Sequence, residues 1–460
     1  MLLKQWLEQL ALWKPYFAQE RTFDRAQALT IGLVCGLGRR TITRALGFLG
    51  WQHKEWSANY KVFSRSPWEG ADLFVPTVEQ ALRDWIPAGR LIPLALDDTV
   101  TARTGKKITT ASWQRDPMSP PFHVNLLWGQ RFLQASLLLP LYRVEPGSSP
   151  RAIPVRFAEC PVLKRPGPKA GQEQWKNYRQ AKKDYSLSAQ FVKLVHEQRA
   201  RLDGLGYQER GLLALGDASY CNRTTFRARY ERTVLLCRAR KNLRLCFRHP
   251  GKGRYYSAQT FTPEEIYADK DYSWKQVKII HGGKKRRVRY KEVGPLLWRR
   301  GGGKQSLRLF VIAPTAYRKT KKGRAYYRER AYLLSTDSTR SAKELLQNYF
   351  DRFEIEYNHR DEKDILGVGQ SQVWATKSVP RVPELMVAAY SALLMASLAA
   401  YGPKRTADYI PLPKWRRPAR RASCQDMVNL LRQQINAAAK GKSNAQVPSN
   451  FATMVLSAAA

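Results

Sequence analysis

Leu91-Ile-Pro-Leu-Ala-Leu-Asp-Asp-Thr99 is a short apolar run that closes on two acids. A run of that length reads as a buried strand meeting its polar end. Gly211-Leu-Leu-Ala-Leu-Gly-Asp217 repeats the pattern later in the chain. Between them, residues 122–128 and 132–139 read as two strands around Gly129-Gln130, a predicted hairpin. A Pro, Lys and Gly-rich linker follows at 161–171, then an amphipathic helix over 186–202. Strand, hairpin, helix and strand, with an acid closing two of the strands, predict an α/β fold. Sheets of that kind place their sites at strand ends.

Upstream, residues 1–80 read as helical. Leu2, Leu3, Trp6, Leu10 and Leu12 share one broad face, and 23–33 forms a second helix. The next short helix carries Arg39, Arg40 and Arg44 beside an apolar side. It is a candidate DNA-binding module, with a basic helix packed on a neighbour as the plain alternative. Downstream, residues 231–340 break into short β-rich runs (233–237, 276–280, 288–290, 307–313 and 330–335) between Gly-rich and cationic turns. The helical period returns over 341–363 and 383–400. Residues 403–460 form a basic segment with a short helix and an Ala, Ser and Asn-rich tail predicted to be disordered. The organisation expected is a helical domain (1–80), the first part of an α/β domain (85–230), a basic β-rich insertion (231–340), the second part of the α/β domain (341–402) and the C-terminal segment (403–460).

Composition narrows the function. The 460 residues carry 79 Lys and Arg against 37 Asp and Glu, a formal charge of +42. With 43% hydrophobic and 11% aromatic residues the chain buries enough apolar surface to fold. A folded chain this basic repels itself until a polyanion neutralises it, so nucleic acid is the leading partner. The charge is uneven: 231–340 holds 29 Lys and Arg and 8 Asp and Glu, half the net excess. Its densest part is Lys284, Lys285, Arg286 and Arg287 with Arg289. Scattered charge is a solvated face, but a concentration among strands and tryptophans reads as phosphate contact. Six cysteines are scattered without a C-x-x-C pair, which fits reduced, buried thiols in a cytoplasmic protein. Cys246 and His249 have C-x-x-H spacing, but with Cys221 and Cys237 they match no standard zinc site. The uncharged stretch 385–401, half Ala and Ser, reads as a buried core helix rather than a membrane span, and the N-terminus is no signal peptide.

The chemistry concentrates on the helix over 341–363. Tyr349, Arg352, Glu356 and Lys363 fall at offsets 0, 3, 7 and 14. At about 100° per residue they lie within roughly 60° of one another, while Asp351, Glu354 and Glu362 point away. A polar stripe here is either a solvated face with an i,i+4 ion pair or a site. The spacing Y-x(2)-R-x(3)-E-x(6)-K resembles that of cut-and-paste insertion-sequence transposases of the DDE, RNase H-like superfamily. The likeness extends to the acids closing the two strands and to a β-rich insertion between the second Asp and the Glu, over about residues 20–400.

The resemblance implies an RNase H-like mixed sheet flanked by helices, and a DNA transposase that binds transposon ends, cleaves strands and transfers them, with a hairpin as one excision route. It implies Asp97, Asp217 and Glu356 as ligands of two Mg²⁺ ions about 4 Å apart, with Mn²⁺ expected to substitute. Neighbouring strand residues face opposite sides, so only one of Asp97 and Asp98 can serve, and the family pattern of acid, any residue, Thr selects Asp97 with Thr99. Arg352 and Lys363 would hold phosphates and Tyr349 a backbone oxygen. In the insertion, Trp298 with Arg299 and Arg300 is the better candidate, over Trp274, to receive a flipped base, against an equal reading as a packing residue. The implied partners are double-stranded DNA, as terminal inverted repeats and target, and a second copy of the chain in the synaptic complex. The implied location is the cytoplasm, at the nucleoid when DNA-bound. An inactive DNA-binding relative, another RNase H-like nuclease and an RNA-binding structural protein are the alternatives.

Overall fold

A computed structural model describes residues 1–116, 119–120, 122–320 and 323–440. Helices α1 (Leu2–Ala11), α2 (Glu20–Cys35), α3 (Ile42–Phe48), α4 (Ser57–Ser64) and α5 (Val75–Asp84) come first. Strands β1 (Ile92–Ala102), β2 (Ser112–Arg115), β3 (Leu126–Leu139) and β4 (Arg151–Glu159) follow, then α6 (Gln172–Asp184), α7 (Leu187–Gly204), β5 (Leu212–Gly216) and α8 (Arg223–Arg227). Next are β6 (Thr233–Ala239), β7 (Leu245–Arg248), β8 (Tyr256–Phe261), α9 (Pro263–Ala268), β9 (Lys275–His281), β10 (Lys284–Trp298) and β11 (Gly303–Ile312). The chain continues through β12 (Ala316–Arg318), β13 (Ala325–Tyr327), β14 (Ala331–Ser335), α10 (Ala342–Asp351), α11 (Glu354–Arg360), α12 (Ser378–Tyr401) and α13 (Cys424–Lys440). The protein is mixed α/β. It divides into two compact units, one of residues 1–87, 98–178 and 354 onward, the other of 88–97 and 179–353. The division passes through β1, between Asp97 and Asp98.

In the first unit α12 is the core. Uncharged from 385 to 401, it is apolar all round and therefore buried on every side, as a central helix must be. Among the described residues it is the one helix long and apolar enough to cross a membrane, and 94% of its apolar window is buried inside the protein. Its few polar groups are matched: Arg156 pairs with Glu384 at 2.8 Å, Ser391 donates to the Pro154 carbonyl, and Trp6 of α1 donates to the Ala389 carbonyl. Leu7, not Leu12, completes the buried face of α1, and Leu12 is exposed.

The predicted hairpin at Gly129-Gln130 does not form. β3 runs unbroken through both residues, pairing with β2 at one end and β4 at the other. Gly129 marks a close approach instead of a turn. A Cβ there would stand 2.8 Å from Val100 Cγ1 and 2.9 Å from the Thr101 carbonyl oxygen. Here the missing side chain makes room for a neighbouring strand.

The second unit is built on a large mixed sheet in the order β1-β5-β6-β14-β11-β10-β7-β8, with β9 also on β10. β1, β5 and β6 are parallel and the others antiparallel. Helices flank it. Ser186 caps α7 by accepting from the Ala189 amide, and Phe191 of that helix stacks on Tyr220 at 4.6 Å. Gln347 of α10 exchanges hydrogen bonds with the Ile280 backbone of β9.

The single helix expected over 341–363 is interrupted. Ser341 caps α10, which ends at Asp351. After Arg352 and Phe353 the chain resumes as α11, then widens into a π-helical turn, Asp361–Ile365. The extra residue per turn changes the phase of Lys363 relative to the stripe, because a π turn advances the chain less than 100° per residue.

Candidate active site

The register of the parallel pair β1 and β5 sets Ala95 opposite Leu215. The paired register ends there; counted two residues on, it sets Asp97 against Asp217, the first residue after β5. β5 stops at Gly216, immediately before Asp217, while β1 runs on past Asp97 to Ala102, so Asp97 lies inside its strand and not at the strand end that the sequence predicts. Asp217 also serves its own turn: it accepts from the Ser219 amide at 2.8 Å and from the Ser219 hydroxyl at 3.3 Å. Those contacts leave lone pairs on both carboxylate oxygens.

The α10 residues of the stripe reach the same acids. Arg352 Nη1 lies 3.7 Å from Asp97 Oδ2, an ion-pair distance too long for a hydrogen bond, and this buried nitrogen has no hydrogen-bond partner. Tyr349 is mostly buried; burial raises its phenol above the ordinary value, with the Arg352 and Arg238 charges opposing and Asp217 adding to the rise. Asp351, outside the stripe, is buried and accepts from Gln347 at 2.8 Å. Asp98 pairs with Arg131 at 3.6 Å within the first unit. The two neighbouring acids thus have separate partners.

Glu356 and Lys363 belong to the first unit. Glu356 is exposed on α11, and the buried His359, three residues on, brings a ring nitrogen within 4.8 Å of its carboxylate. The stripe of Tyr, Arg, Glu and Lys leaves out His359, although Glu-x-x-His is a metal-ligand spacing on a helix and is the signal that finds it. Burial holds the Lys363 ammonium below its usual value, against the raising effect of Glu362, Asp364, Asp116 and Glu356. Glu354 is partly buried and paired with Arg421 at 2.5 Å; Glu362 is buried, and burial pushes it up to about 8.

In the insertion, Lys284, Lys285, Arg286, Arg287 and Arg289 are exposed on β10, anchored by the buried Val288 and Tyr290. The Trp298 ring is buried, edge-on to Phe226 at 5.5 Å, and a Cβ on Gly301 would strike it at 2.2 Å. Arg299 and Arg300 follow it in the exposed turn to β11, and Arg299 lies 5.6 Å over the Tyr256 ring. The short helix expected to carry Arg39, Arg40 and Arg44 begins only at Ile42: exposed Arg44 is on α3, whereas Arg39, exposed, and Arg40, buried against the Gly36 carbonyl, lie in the loop before it. All six cysteines are buried free thiols. The tail beyond 440 lies outside the described residues. No protein-family profile matches the chain, and no curated protein is similar to it in sequence.

Proposed function

We propose that the chain is a metal-dependent DNA strand-cleaving and strand-transferring enzyme, a DDE transposase with an RNase H-like catalytic fold. The observation that carries this reading is the parallel register of β1 on β5, which counted two residues on sets Asp97 against Asp217, with Arg352 Nη1, buried and without a hydrogen-bond partner, 3.7 Å from Asp97. A site for a carboxylate alone would close that ion pair and satisfy the guanidinium. An unfilled donor next to Asp97 suits a ternary arrangement in which an anion, a DNA phosphate, sits with a cation.

The donor chemistry fits a hard divalent ion. Asp97, Asp217 and Glu356 offer carboxylate oxygens, with His359 beside Glu356 as a nitrogen donor that Mn²⁺ accepts more readily than Mg²⁺. Bound there, Mg²⁺ would supply Lewis-acid activation of the attacking water or 3′-hydroxyl and charge stabilisation of the leaving oxygen. Arg352 orients the phosphate, and Tyr349 hydrogen-bonds a backbone oxygen. Lys363 adds a second cation, and the exposed cluster on β10 holds the flanking duplex. DNA ends and target are the proposed partners, with a second copy of the chain completing the paired ends.

The test is incubation of the protein with Mg²⁺ and DNA carrying its native flanking ends. Asp97→Ala, Asp217→Ala and Glu356→Ala should each abolish strand cleavage while end binding stays near wild type, because affinity comes from the basic surface. Asp98→Ala loses only a half-exposed ion pair, worth about 0.2–1 kcal/mol of stability, and should keep cutting. Wild-type cleavage by an Asp97→Ala, Asp217→Ala or Glu356→Ala protein would remove that residue from the site.

A further inference from the structure

Beside β9 and β10 the second unit holds a cleft of about 920 Å³, lined among others by Trp274, Arg286, Arg287, Arg289, Tyr317 and Arg328. Among the described residues no Asp or Glu lines it. One wall is the short hairpin of β12 and β13, in which Tyr317 pairs with Tyr326. Three tyrosines of this hairpin are exposed: Tyr317 at 38%, Tyr326 at 41% and Tyr327 at 69%. Cations lie over the rings. Arg328 is 5.8 Å from Tyr317, Lys319 5.0 Å from Tyr326, and Arg289 5.1 Å from Trp274. Burial, then Arg286 and Arg328, hold His281 below the usual imidazole range, as crowded positive charge does.

A second cleft of about 570 Å³ is lined by Ala218, next to Asp217, by the cations Arg238, Arg240, Lys241 and Arg330, and by one acid, Glu329. The two clefts share Pro314 in their walls. Four cations against one acid line the second cleft, so both clefts are net positive.

We propose that these two neighbouring clefts bind an unpaired nucleic-acid strand, its phosphates on the arginines and its bases on Tyr317, Tyr327 and Trp274. Exposed tyrosines on a basic arm are poor solvent-facing residues but good stacking platforms, and every base offers a face to them. A duplex keeps those faces stacked inside and offers the exposed rings nothing to stack on. An apolar protein partner would leave the arginines desolvated without counter-charge. The inference rests on the reading that Asp217 belongs to a strand-cutting site, but its readout is binding alone.

The full-length chain without metal would be titrated with a fluorescent oligo-deoxythymidine, with a duplex of equal length, and with a deoxynucleoside monophosphate as competitor. The variant Tyr317→Ala with Tyr327→Ala removes two exposed rings and should weaken single-strand binding about tenfold while leaving duplex binding within about twofold. Tyr317→Phe with Tyr327→Phe should restore it. Equal loss on both DNA forms, or no loss on either, overturns the proposal. A monophosphate that competes as well as the oligonucleotide also overturns it, since the clefts would then hold free nucleotides. Loss of the cleavage activity proposed above, with single-strand preference intact, would count against that reading and leave this one standing.

Discussion

Glu362 is fully buried in the first unit with its carboxyl pushed up to about 8, chiefly by burial, with the Gln134 amide partly offsetting. The sign follows from proton counting. Between the ordinary carboxyl value near 4.5 and 8, the folded state holds a proton that the unfolded state has released, so stability falls as pH rises through that window. Glu362→Gln keeps the shape and removes the proton. Its melting temperature relative to wild type should climb from pH 5 to pH 8, at up to about 1.4 kcal/mol per pH unit, and level off above. A difference independent of pH, read by calorimetry across that range, would mean the carboxyl is not held neutral. This residue shows where sequence reading stops. Asp97 and Asp217 are legible because each closes a short apolar run, a local pattern. That Glu362 is buried, that Glu354 meets Arg421, and that Asp98 meets Arg131 depend on chain segments far apart in sequence, which no local pattern encodes.

At the scale of elements, period and turn chemistry identify most helices and strands, and fail where one residue carries two meanings. Gly129 has the composition of a turn and is a close approach between strands. Adding a methyl group there should cost about 1–3 kcal/mol in the urea unfolding of Gly129→Ala, because the Val100 side chain and the Thr101 carbonyl must move; an unchanged midpoint would show that the strands have slack. α6 is hidden in the sequence because none of its residues is buried, so it has no apolar stripe to read. The break after Asp351 and the π turn at Asp361–Ile365 are likewise invisible to a 100° wheel. Conversely, the Gly282-Gly283 turn between β9 and β10 has positive φ at both residues, +60° and +68°, as a two-residue hairpin turn demands. That turn holds out the exposed cluster Lys284, Lys285, Arg286 and Arg287. Reversing those four charges should weaken binding to all DNA sequences alike and flatten the salt dependence by about 0.9 in log–log slope for each phosphate that the protein no longer neutralises. An unchanged slope would make the cluster a solvated face.

For the whole molecule the governing quantity is the charge of +42. In the free protein that excess is a cost of folding, since compaction brings like charges together, and salt relieves it as the screening length falls from about 10 Å at 0.1 M to about 3 Å at 1 M. The melting temperature of the free chain should therefore rise with sodium chloride. DNA acts in the opposite sense. Binding to the folded state alone raises the melting temperature by mass action, and this gain shrinks with salt because counterion release drives the affinity. Scans with and without duplex DNA should thus converge as salt increases, the free curve climbing and the bound curve dropping toward it. The two trends have separate causes and fail separately. A free-protein melting temperature that is flat or falls with salt would mean that the positive charges are spaced or paired well enough to cost nothing, although 231–340 alone carries half the excess. A DNA-induced shift that does not shrink with salt would mean that base or shape contacts, rather than phosphates, supply the affinity.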